Sequence, residues 1–506
     1  MITSQHTVLV WLACAALPII VYIRLKKKSS LPYPPGPRRY PIVGSLLHLP
    51  SSYQWIAFDK WCREKETDLL YLSGVGFNIL VLNSLEAVSE LFENRWSIYS
   101  NRPKFVMVGE LMGWDYIFGL LEYGEPWRER RKLFTQYFHP SEPSSFKPHA
   151  MNFARGTLPK LLHNPEDFFD IARHAVGGSA LSMAYGFPIK EHDDPYVRLA
   201  EKALETINIG AMPGNFLVNI MPALKYVPSW FPGAGFQKIA KEWRQVQIDF
   251  REKPFARTLK AMAEGVASPC YVTNGIGNLE GLPESERDYH QTAAETTLAA
   301  LQFFFAAMLC YPEVQKKAQS ELDRVLGGRL PEYTDEEHTP YVAALIKEVL
   351  RWKPILPLGV PHTSSHDDVY KGYHIPKGTF VMANSWALLQ DLKHFPNPAV
   401  LDPERFLSGG QLRTDIRDPV DIIFGYGRRI CPGNHIALSF LWVTAASILS
   451  VYDITKEVDQ NGQGVTPDIK FKPNILFEVA PFKCTITPRS KEAEELIRTI
   501  GYETEA

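Results

Sequence analysis

The sequence lacks the marks of several large classes of protein. Its six cysteines are scattered through 506 residues and form no Cys-x-x-Cys pair, so neither a disulfide-rich secreted domain nor a zinc ribbon is expected. No internal repeat is present, which argues against a solenoid or a propeller. No Gly-x-Gly-x-x-Gly stretch follows a predicted strand, so the chain itself is not expected to bind a flavin or nicotinamide dinucleotide.

Neither acidic nor basic residues are in large excess. The net charge is −2 at pH 7, and basic residues form a tract only near the start, so we expect no nucleic-acid-binding surface. The interior contains no low-complexity linker, and 45% of the residues are hydrophobic. We therefore predict one large body rather than the roughly three domains that length alone suggests.

A long hydrophobic run occurs at the amino end. Residues 8–23 are uncharged and almost wholly apolar, close to the roughly 17–25 residues that span a bilayer. The basic residues at 24–28 follow this run, whereas a signal peptide carries its positive charge in front of it. We predict a retained membrane anchor over residues 1–28, with the body on the cytoplasmic side.

Proline is concentrated directly after the anchor. The segment LPYPPGP at residues 31–37 favours an extended polyproline conformation, and we predict a stiff hinge over residues 29–40. Residues 41–506 then form the body. A second aromatic and proline-rich segment, at residues 227–236, fits either an interfacial loop or an ordinary buried loop.

Hydrophobic periodicity predicts a mainly α fold with small β-sheets, an α+β mixture. Helices are expected to dominate between residues 85 and 350. The other expected elements are a helix at 53–65, a β-hairpin at 69–83, short strands at 369–382, a helix at 434–451 and strands at 470–487.

One short stretch, FGYGRRICPG at residues 424–433, sets a cysteine among glycines and arginines. It fits the pattern F-x-x-G-x-R-x-C-x-G, which ordinary residue frequencies produce by accident in on the order of one chain in ten thousand. The residues of the pattern are Phe424, Gly427, Arg429, Cys431 and Gly433.

Such a cysteine suits thiolate ligation of a haem iron, which favours O–O cleavage. The thiolate needs positive charge and N–H donors nearby to stay deprotonated. Glycines let the backbone fold tightly around the sulfur and approach the macrocycle. The helix expected to begin near Asn434 would point its positive end at the sulfur, and Arg429 is able to reach a haem propionate.

On these residues the chain resembles the cytochrome P450 superfamily of haem-thiolate monooxygenases, in its membrane-anchored eukaryotic form. The resemblance runs from the anchor to the last strands and is closest to fungal members similar to O-methylsterigmatocystin oxidoreductases. It implies haem b (heme b) with the Cys431 thiolate on iron, and insertion of one oxygen atom from O2. It also implies an NADPH–cytochrome P450 reductase as partner, and a single-pass location in the endoplasmic reticulum membrane.

Further motifs agree with this resemblance in order and spacing. Glu348 and Arg351 form an E-x-x-R pair, and Arg405 lies in the P-E-R-F box. The resemblance implies that these three charges form a buried structural network. It further implies haem propionate binding by Trp127 and Arg131 of the W-R-x-x-R run, and by His362.

The oxygen-handling motif of the family, A-G-x-[DE]-T-T, matches residues 292–297 in part. The resemblance implies that Thr296 hydrogen-bonds the oxygen species and that Glu295 relays protons to it. Ala293 replaces the family's glycine, and its methyl group either crowds or narrows the oxygen groove. The segment before the motif is short, because Leu282-Pro283 lies just upstream, so either the central helix is shortened or coding sequence is missing.

The segment at residues 105–121 is rich in aromatic residues and methionine. It fits either plain core packing or the wall of a site for a large apolar ligand. The expected substrate is lipophilic: a terpenoid, a steroid, a polyketide or a polycyclic aromatic. Two alternatives stay open, namely a haem-thiolate isomerase or dehydratase without O2 turnover, and a non-catalytic haem-binding remnant with a shortened central helix.

Overall fold

The computed structural model describes residues 31–40, 43–74, 77–191, 193–212, 214–277, 295–457, 463–465 and 467–505. Side chains are described at these positions except 46, 277, 295, 296 and 501–505. The membrane anchor predicted over residues 1–28 lies outside the described residues. Within them the chain is mainly helical with small sheets, as the sequence predicts.

The helices are α1 Gln54–Glu64, α2 Leu85–Val88, α3 Trp96–Tyr99, α4 Glu125–Tyr137, α5 Lys147–His163, α6 Phe168–Tyr185, α7 Pro195–Ala211, α8 Gly235–Ala263, α9 Tyr271–Gly277, α10 Glu295–Cys310, α11 Pro312–Leu326, α12 Pro340–Trp352, α13 Ser385–Leu389, α14 Val420–Ile423, α15 Asn434–Val451 and α16 Lys491–Glu505. The strands are β1 Leu69–Gly74, β2 Phe77–Leu82, β3 His362–Thr363, β4 Asp368–Tyr370, β5 Tyr373–Ile375, β6 Phe380–Ala383, β7 Leu407–Ser408, β8 Gln411–Leu412, β9 Tyr452–Thr455, β10 Phe471–Pro473, β11 Phe477–Val479 and β12 Thr485–Pro488.

Among the described residues, the largest sheet has the strand order β1-β2-β6-β3. β1 and β2 form the predicted hairpin, with Leu70 opposite Val81. β2 runs parallel to β6, and β3 closes the sheet antiparallel to β6. Apolar side chains fill the buried part of β1 and β2 on both faces. The sheet places His362 at the start of β3.

Two helices that are apolar on every side form the centre of the core. Every residue of α10 from 299 to 309 is buried, and so is every residue of α15 from 439 to 449. A helix that is hydrophobic all round belongs in an interior or a membrane. Within the described residues α15 alone is long and apolar enough to span a bilayer by itself, and its burial in the core accounts for that composition.

Short local signals set the facing ends of α6 and α7. Gly186, at φ 71°, follows the last residue of α6 in a left-handed conformation that glycine adopts without strain. Asp194 caps α7, since its carboxylate accepts the backbone N–H groups of Tyr196 and Val197. Pro195 takes the first helical position. These two helices supply facing walls of the cavity described below.

The predicted hinge at residues 29–40 and the aromatic segment at residues 227–236 have different surroundings. The described part of the predicted hinge docks on the body, because the Tyr71 N–H donates to the Pro35 carbonyl at 2.8 Å and Tyr33 stacks on Tyr71. In the 227–236 segment, Trp230 is 78% exposed and Phe231 is 52% exposed. The buried-loop alternative for that segment is therefore wrong.

Sequence patterns missed α16 and β9. Charged residues dominate α16, and the apolar side chains that dock it, such as the fully buried Ile497, are few. β9 begins at the residue that follows α15, with no turn residue to signal the change. The strands predicted at 369–382 and 470–487 are present as β4–β6 and β10–β12.

A buried charge network joins α12 to the loop before β7. Arg351 donates to both carboxylate oxygens of Glu348, at 2.7 and 2.9 Å, and Arg405 donates to Glu348 at 3.1 Å. The Asp402 N–H adds a bond of 2.8 Å to the same carboxylate. The remaining guanidinium N–H groups donate to the carbonyls of Leu389, Pro396, Pro398 and Val400. The network therefore has the arrangement that the sequence predicts for these three residues.

We predict that Glu348→Gln lowers the free energy of unfolding by about 3–5 kcal/mol, because two guanidiniums then stay buried without a countercharge. Chemical denaturation of the purified protein measures this change. Glu404→Gln is the matched control, since its pair with Lys317 is exposed and is worth less than about 1 kcal/mol. Equal effects of the two substitutions would contradict the prediction.

Candidate active site

Cys431 lies between a short 3-10 turn, Gly427–Arg429, and the first residue of α15. Its N–H donates to the Phe424 carbonyl at 2.7 Å, which closes the loop back on α14. Gly433 directly precedes α15, and its backbone N–H lowers the pKa of the Cys431 thiol. Cys431 therefore lies beside the positive end of α15, as the sequence predicts.

The backbone around Cys431 requires a glycine at position 427 but not at position 433. Gly427 has a φ of 54°, and a Cβ at this position would lie 2.3 Å from the Phe92 carbonyl oxygen. A larger residue is therefore disfavoured both by the left-handed backbone conformation and by the clash of its Cβ with the Phe92 carbonyl oxygen. At Gly433 the nearest atom to an added Cβ is in the Phe134 ring at 3.6 Å, so no protein atom of the described chain requires a glycine there.

The surroundings of Cys431 act on its thiol in opposite directions. Burial raises the pKa of the Cys431 thiol, while the Gly433 N–H and the positive charge of Arg131 oppose that rise. Arg131 is held in place because its Nη1 donates to the Ile430 carbonyl at 2.7 Å. Coordination to a metal deprotonates a thiol outright, and these two contacts stabilise the thiolate that results.

Arg429 and Trp127 pack against each other beside Cys431. The Arg429 guanidinium lies 4.5 Å from the centre of the Trp127 ring, and Arg131 lies 5.5 Å from the same ring. Arg429 donates to the Ser100 carbonyl at 2.7 Å and to the Leu121 carbonyl at 2.6 Å. Its Nη1 is buried and has no hydrogen-bond partner among the described residues.

His362 is buried next to this group. Its Nδ1 donates to the Tyr99 carbonyl at 2.7 Å, since a carbonyl only accepts, and its ring stacks on Phe92 at 4.1 Å. Burial, followed by the charge of Arg102, holds the pKa of His362 well below its usual range. The ring is therefore neutral and keeps Nε2 for another partner.

Arg102 is a member of this group that the sequence did not reveal. It is buried and donates to the carbonyls of Val360 at 2.7 Å, Pro361 at 3.0 Å and Gly119 at 3.2 Å. Burial, with Arg429 as the second cause, holds the pKa of Arg102 well below its usual range. No motif marks it, because the chain brings it to the site only through folding.

The donor set fits a haem. In the described part of the chain no carboxylate pairs with Arg102, Arg131 or Arg429, and burial beside Arg131 lowers the pKa of Arg429 to about 10. Buried positive charge without a countercharge is costly. The propionate carboxylates of a haem would supply that countercharge and would pair with the free Nη1 of Arg429.

Glu295 and Thr296 are the first two residues of α10. The structure places their backbone at the start of the central helix, and their side chains lie outside the described atoms, as do all of Thr292, Ala293 and Ala294. Glu348, Arg351 and Arg405 form the separate network described above. The other predicted site residues meet around Cys431.

An apolar cavity of about 430 Å³ adjoins this site. Gly119, Val360 and Pro361 line it, and the carbonyls of these same residues accept the hydrogen bonds of Arg102. Phe105, Trp114 and other residues of the 105–121 segment also line it. Other residues of the segment, such as Met107 and Met112, pack in the core. The segment therefore combines core packing with a cavity wall.

We predict that Gly427→Ala destabilises the protein by at least about 1–3 kcal/mol, the cost of a left-handed conformation for a residue with a Cβ. Thermal unfolding of the haem-loaded protein measures the change. Gly156→Ala, in α5, is the control, because its Cβ meets nothing within 4 Å and the substitution is expected to stabilise by about 0.5–1 kcal/mol. A Gly427→Ala protein as stable as the parent would contradict the close approach to Phe92.

We predict a pH effect at Arg131. Arg131→Met removes a charge that lowers the pKa of the Cys431 thiol, so that pKa rises and the thiolate is protonated at a higher pH as acid is added. The pH at which the thiolate-type carbon-monoxide band is lost, normalised to haem content, should therefore increase. Arg131→Lys keeps the charge and should change the pH of band loss less than Arg131→Met does. If the parent and both variants lose the band at the same pH, the electrostatic role of Arg131 is contradicted.

Comparison with known proteins agrees with this site. The family model for cytochrome P450 matches residues 34–264 and 291–482, and its interruption precedes the start of α10. Cytochrome P450 monooxygenase ple1 of Rhodocybe pseudopiperita is 41% identical over 96% of this chain and 95% of that protein. Cytochrome P450 monooxygenase 98 of Postia placenta is 40% identical over 95% of both chains.

A third relative is tryptamine 4-monooxygenase of Psilocybe cyanescens, at 38% identity over 94% of this chain and 96% of that protein. Family model and relatives cover most of the body. The chain therefore belongs to the cytochrome P450 family and is a monooxygenase that holds a haem through a cysteine thiolate.

Proposed function

We propose that this monooxygenase inserts one oxygen atom from O2 into a lipophilic substrate: a terpenoid, a steroid, a polyketide or a polycyclic aromatic. The observation that carries this proposal is the apolar cavity of about 430 Å³ that shares Gly119, Val360 and Pro361 with the Arg102 site. A cavity of this size and lining suits a ligand of drug-like dimensions with few polar groups.

The haem supplies the oxidative chemistry, and the residues around it hold it and set its field. Cys431 provides the thiolate, and the Gly433 N–H and Arg131 stabilise the sulfur's negative charge. Arg102, Arg131, Arg429, Trp127 and His362 are proposed to bind the propionates. Pairing with them would neutralise a buried cluster of positive charge.

Glu295 and Thr296 are proposed to handle protons and oxygen at the start of α10. Their place in the family motif supports these roles, and a carboxyl and a hydroxyl side by side provide a donor and acceptor pair for proton transfer. The family match resumes at residue 291, shortly before them. The shortening expected before the motif lies in the part of the chain where that match is interrupted.

A location at the endoplasmic reticulum membrane is part of the proposal. The apolar run at residues 8–23 and the exposed Trp230 and Phe231 support two contacts with the bilayer, because aromatic side chains favour the membrane interface. The catalytic body over residues 41–506 would face the cytoplasm, behind the hinge at 29–40. A lipophilic substrate dissolved in the bilayer would then be concentrated near the cavity.

An NADPH–cytochrome P450 reductase is the proposed electron donor. On the outer face of α4, a groove of about 370 Å³ is lined by Arg128, Lys132 and His139 together with Trp127 and Arg131. Basic residues on the side of the haem that carries Cys431 would attract an acidic partner protein. No nucleic acid is expected as a partner, since the net charge is −2.

The two alternatives are kept as outcomes of the test. A haem-thiolate isomerase or dehydratase would rearrange a bound substrate without O2 turnover. A haem-binding remnant would keep the cofactor and lack turnover, if the change before Thr296 spoils the oxygen site. The acid and both threonines, Glu295, Thr296 and Thr297, are present in the motif, and this favours the monooxygenase.

We predict that the full chain, expressed with a fungal reductase, gives a thiolate-type carbon-monoxide band and hydroxylates lipophilic compounds in an NADPH-dependent manner. Cys431→Ala should abolish the band and the turnover, whereas Cys310→Ala, at an exposed cysteine, should change neither. A band without turnover would favour the remnant, and turnover without NADPH would favour the isomerase. Purified, folded protein without haem would overturn the assignment.

A further inference from the structure

The apolar cavity extends along α6 on a face made of small side chains. Gly177, Ala180 and Ala184 line it, with Leu181 and Tyr185 beside them. These positions recur at the helical spacing of three and four residues, so they share one face of α6. The first three are partly open, while Gly178 and Ser179 on the other faces are buried.

The two halves of α6 have different neighbours. In its first half, the apolar residues between 168 and 176 belong to the same buried cluster as α10, and the Phe168 ring lies 4.9 Å from that of Phe305. In the second half, Leu181 and Tyr185 belong to a separate cluster with Val197 of α7. The wall of the cavity is therefore the part of α6 that does not pack in the cluster with α10.

α7 supplies the facing wall, again with small residues. Ala200 and Ala211 line the cavity together with Leu204 and Ile207. A side chamber of the cavity thus lies between α6 and α7, and its width is set by five residues no larger than alanine: Gly177, Ala180, Ala184, Ala200 and Ala211. Since an interior tolerates little extra volume, larger side chains at these positions would close the chamber.

The lining also describes the ligand. None of the described residues that line the cavity has a charged side chain, so an ion would lose its hydration without gaining a countercharge there. The chamber is therefore suited to an uncharged molecule.

We infer that α6 determines substrate size: the chamber along Gly177, Ala180 and Ala184 accepts the bulk of a large, uncharged apolar molecule. This inference rests on the proposed function, since it specifies the substrate of the same cavity. It assigns α6, which contributes none of the residues proposed to hold the haem, a direct part in specificity.

The size assignment is tested with Ala180→Phe in the haem-loaded full chain. Affinities for pyrene, as a large probe, and naphthalene, as a small one, are measured by equilibrium dialysis. Pyrene binding should weaken by about tenfold or more, because a phenyl ring would overpack the chamber, and naphthalene binding should stay within about twofold. Equal affinities for pyrene in both proteins, or no pyrene binding by the parent, would overturn the inference.

Two further variants keep this test informative. Ala180→Val fills less of the chamber and should fall between the parent and Ala180→Phe, which serves if the larger substitution prevents folding. Lys202→Phe adds the same ring on the exposed side of α7 and should leave both affinities unchanged. A pyrene loss in Lys202→Phe as large as in Ala180→Phe would overturn the assignment of the chamber.

The thiolate-type carbon-monoxide band distinguishes a failure of the proposed function from a failure of this inference. Its absence from the parent protein defeats the proposed function itself, while its presence with unaltered affinities in the variants defeats this inference alone.

Discussion

Uncompensated positive charge in the interior is the constraint on which the site depends. Arg102 and Arg429 are buried and Arg131 is half-buried near them, and the hydrogen bonds of all three go to backbone carbonyls, not to any described carboxylate. A buried guanidinium retains its charge at the expense of stability unless an anion joins it. The protein therefore needs a dianionic ligand at this place, and a haem meets that need while Cys431 binds its iron.

The second charge network shows what full compensation looks like. Glu348 and Arg351 have no exposed side-chain area, yet each carboxylate oxygen accepts from a guanidinium, and the remaining N–H groups donate to backbone carbonyls. This network is complete within the chain and serves the fold. The cluster around Arg429 is incomplete within the described chain, with one buried nitrogen left over, and this difference separates a structural network from a cofactor site.

The same carbonyl bonds link cofactor and cavity. Because Arg102 donates to the carbonyls of Val360 and Pro361, and those residues line the apolar cavity, the arginine proposed to bind a propionate also helps to shape the cavity. On α6 the cavity is lined by the half of the helix that lies outside the cluster shared with α10.

The sequence alone determined whatever depends on a short stretch of chain. The loop at 424–433, the hairpin at 69–83, the bounds of α15 and the shared helix face of Glu348 and Arg351 were all predictable, since turns, caps and helical spacing act over a few residues. The pairing of Arg405 with Glu348, 57 residues apart, was implied by the family resemblance and not by any local pattern. It did not predict α16, whose few apolar residues form no strong pattern, or β9, which no turn residue separates from α15.

Only the tertiary structure decided which distant residues share the site. Arg102 belongs to no motif, and two of its three carbonyl partners, Val360 and Pro361, lie more than two hundred residues away along the chain. The walls of the cavity come from α6, α7 and the 356–361 loop, which no spacing in the chain relates. The physical reason is that burial and electrostatics act through space: a cavity and a charge cluster are properties of packing, and packing exists only once the chain has folded.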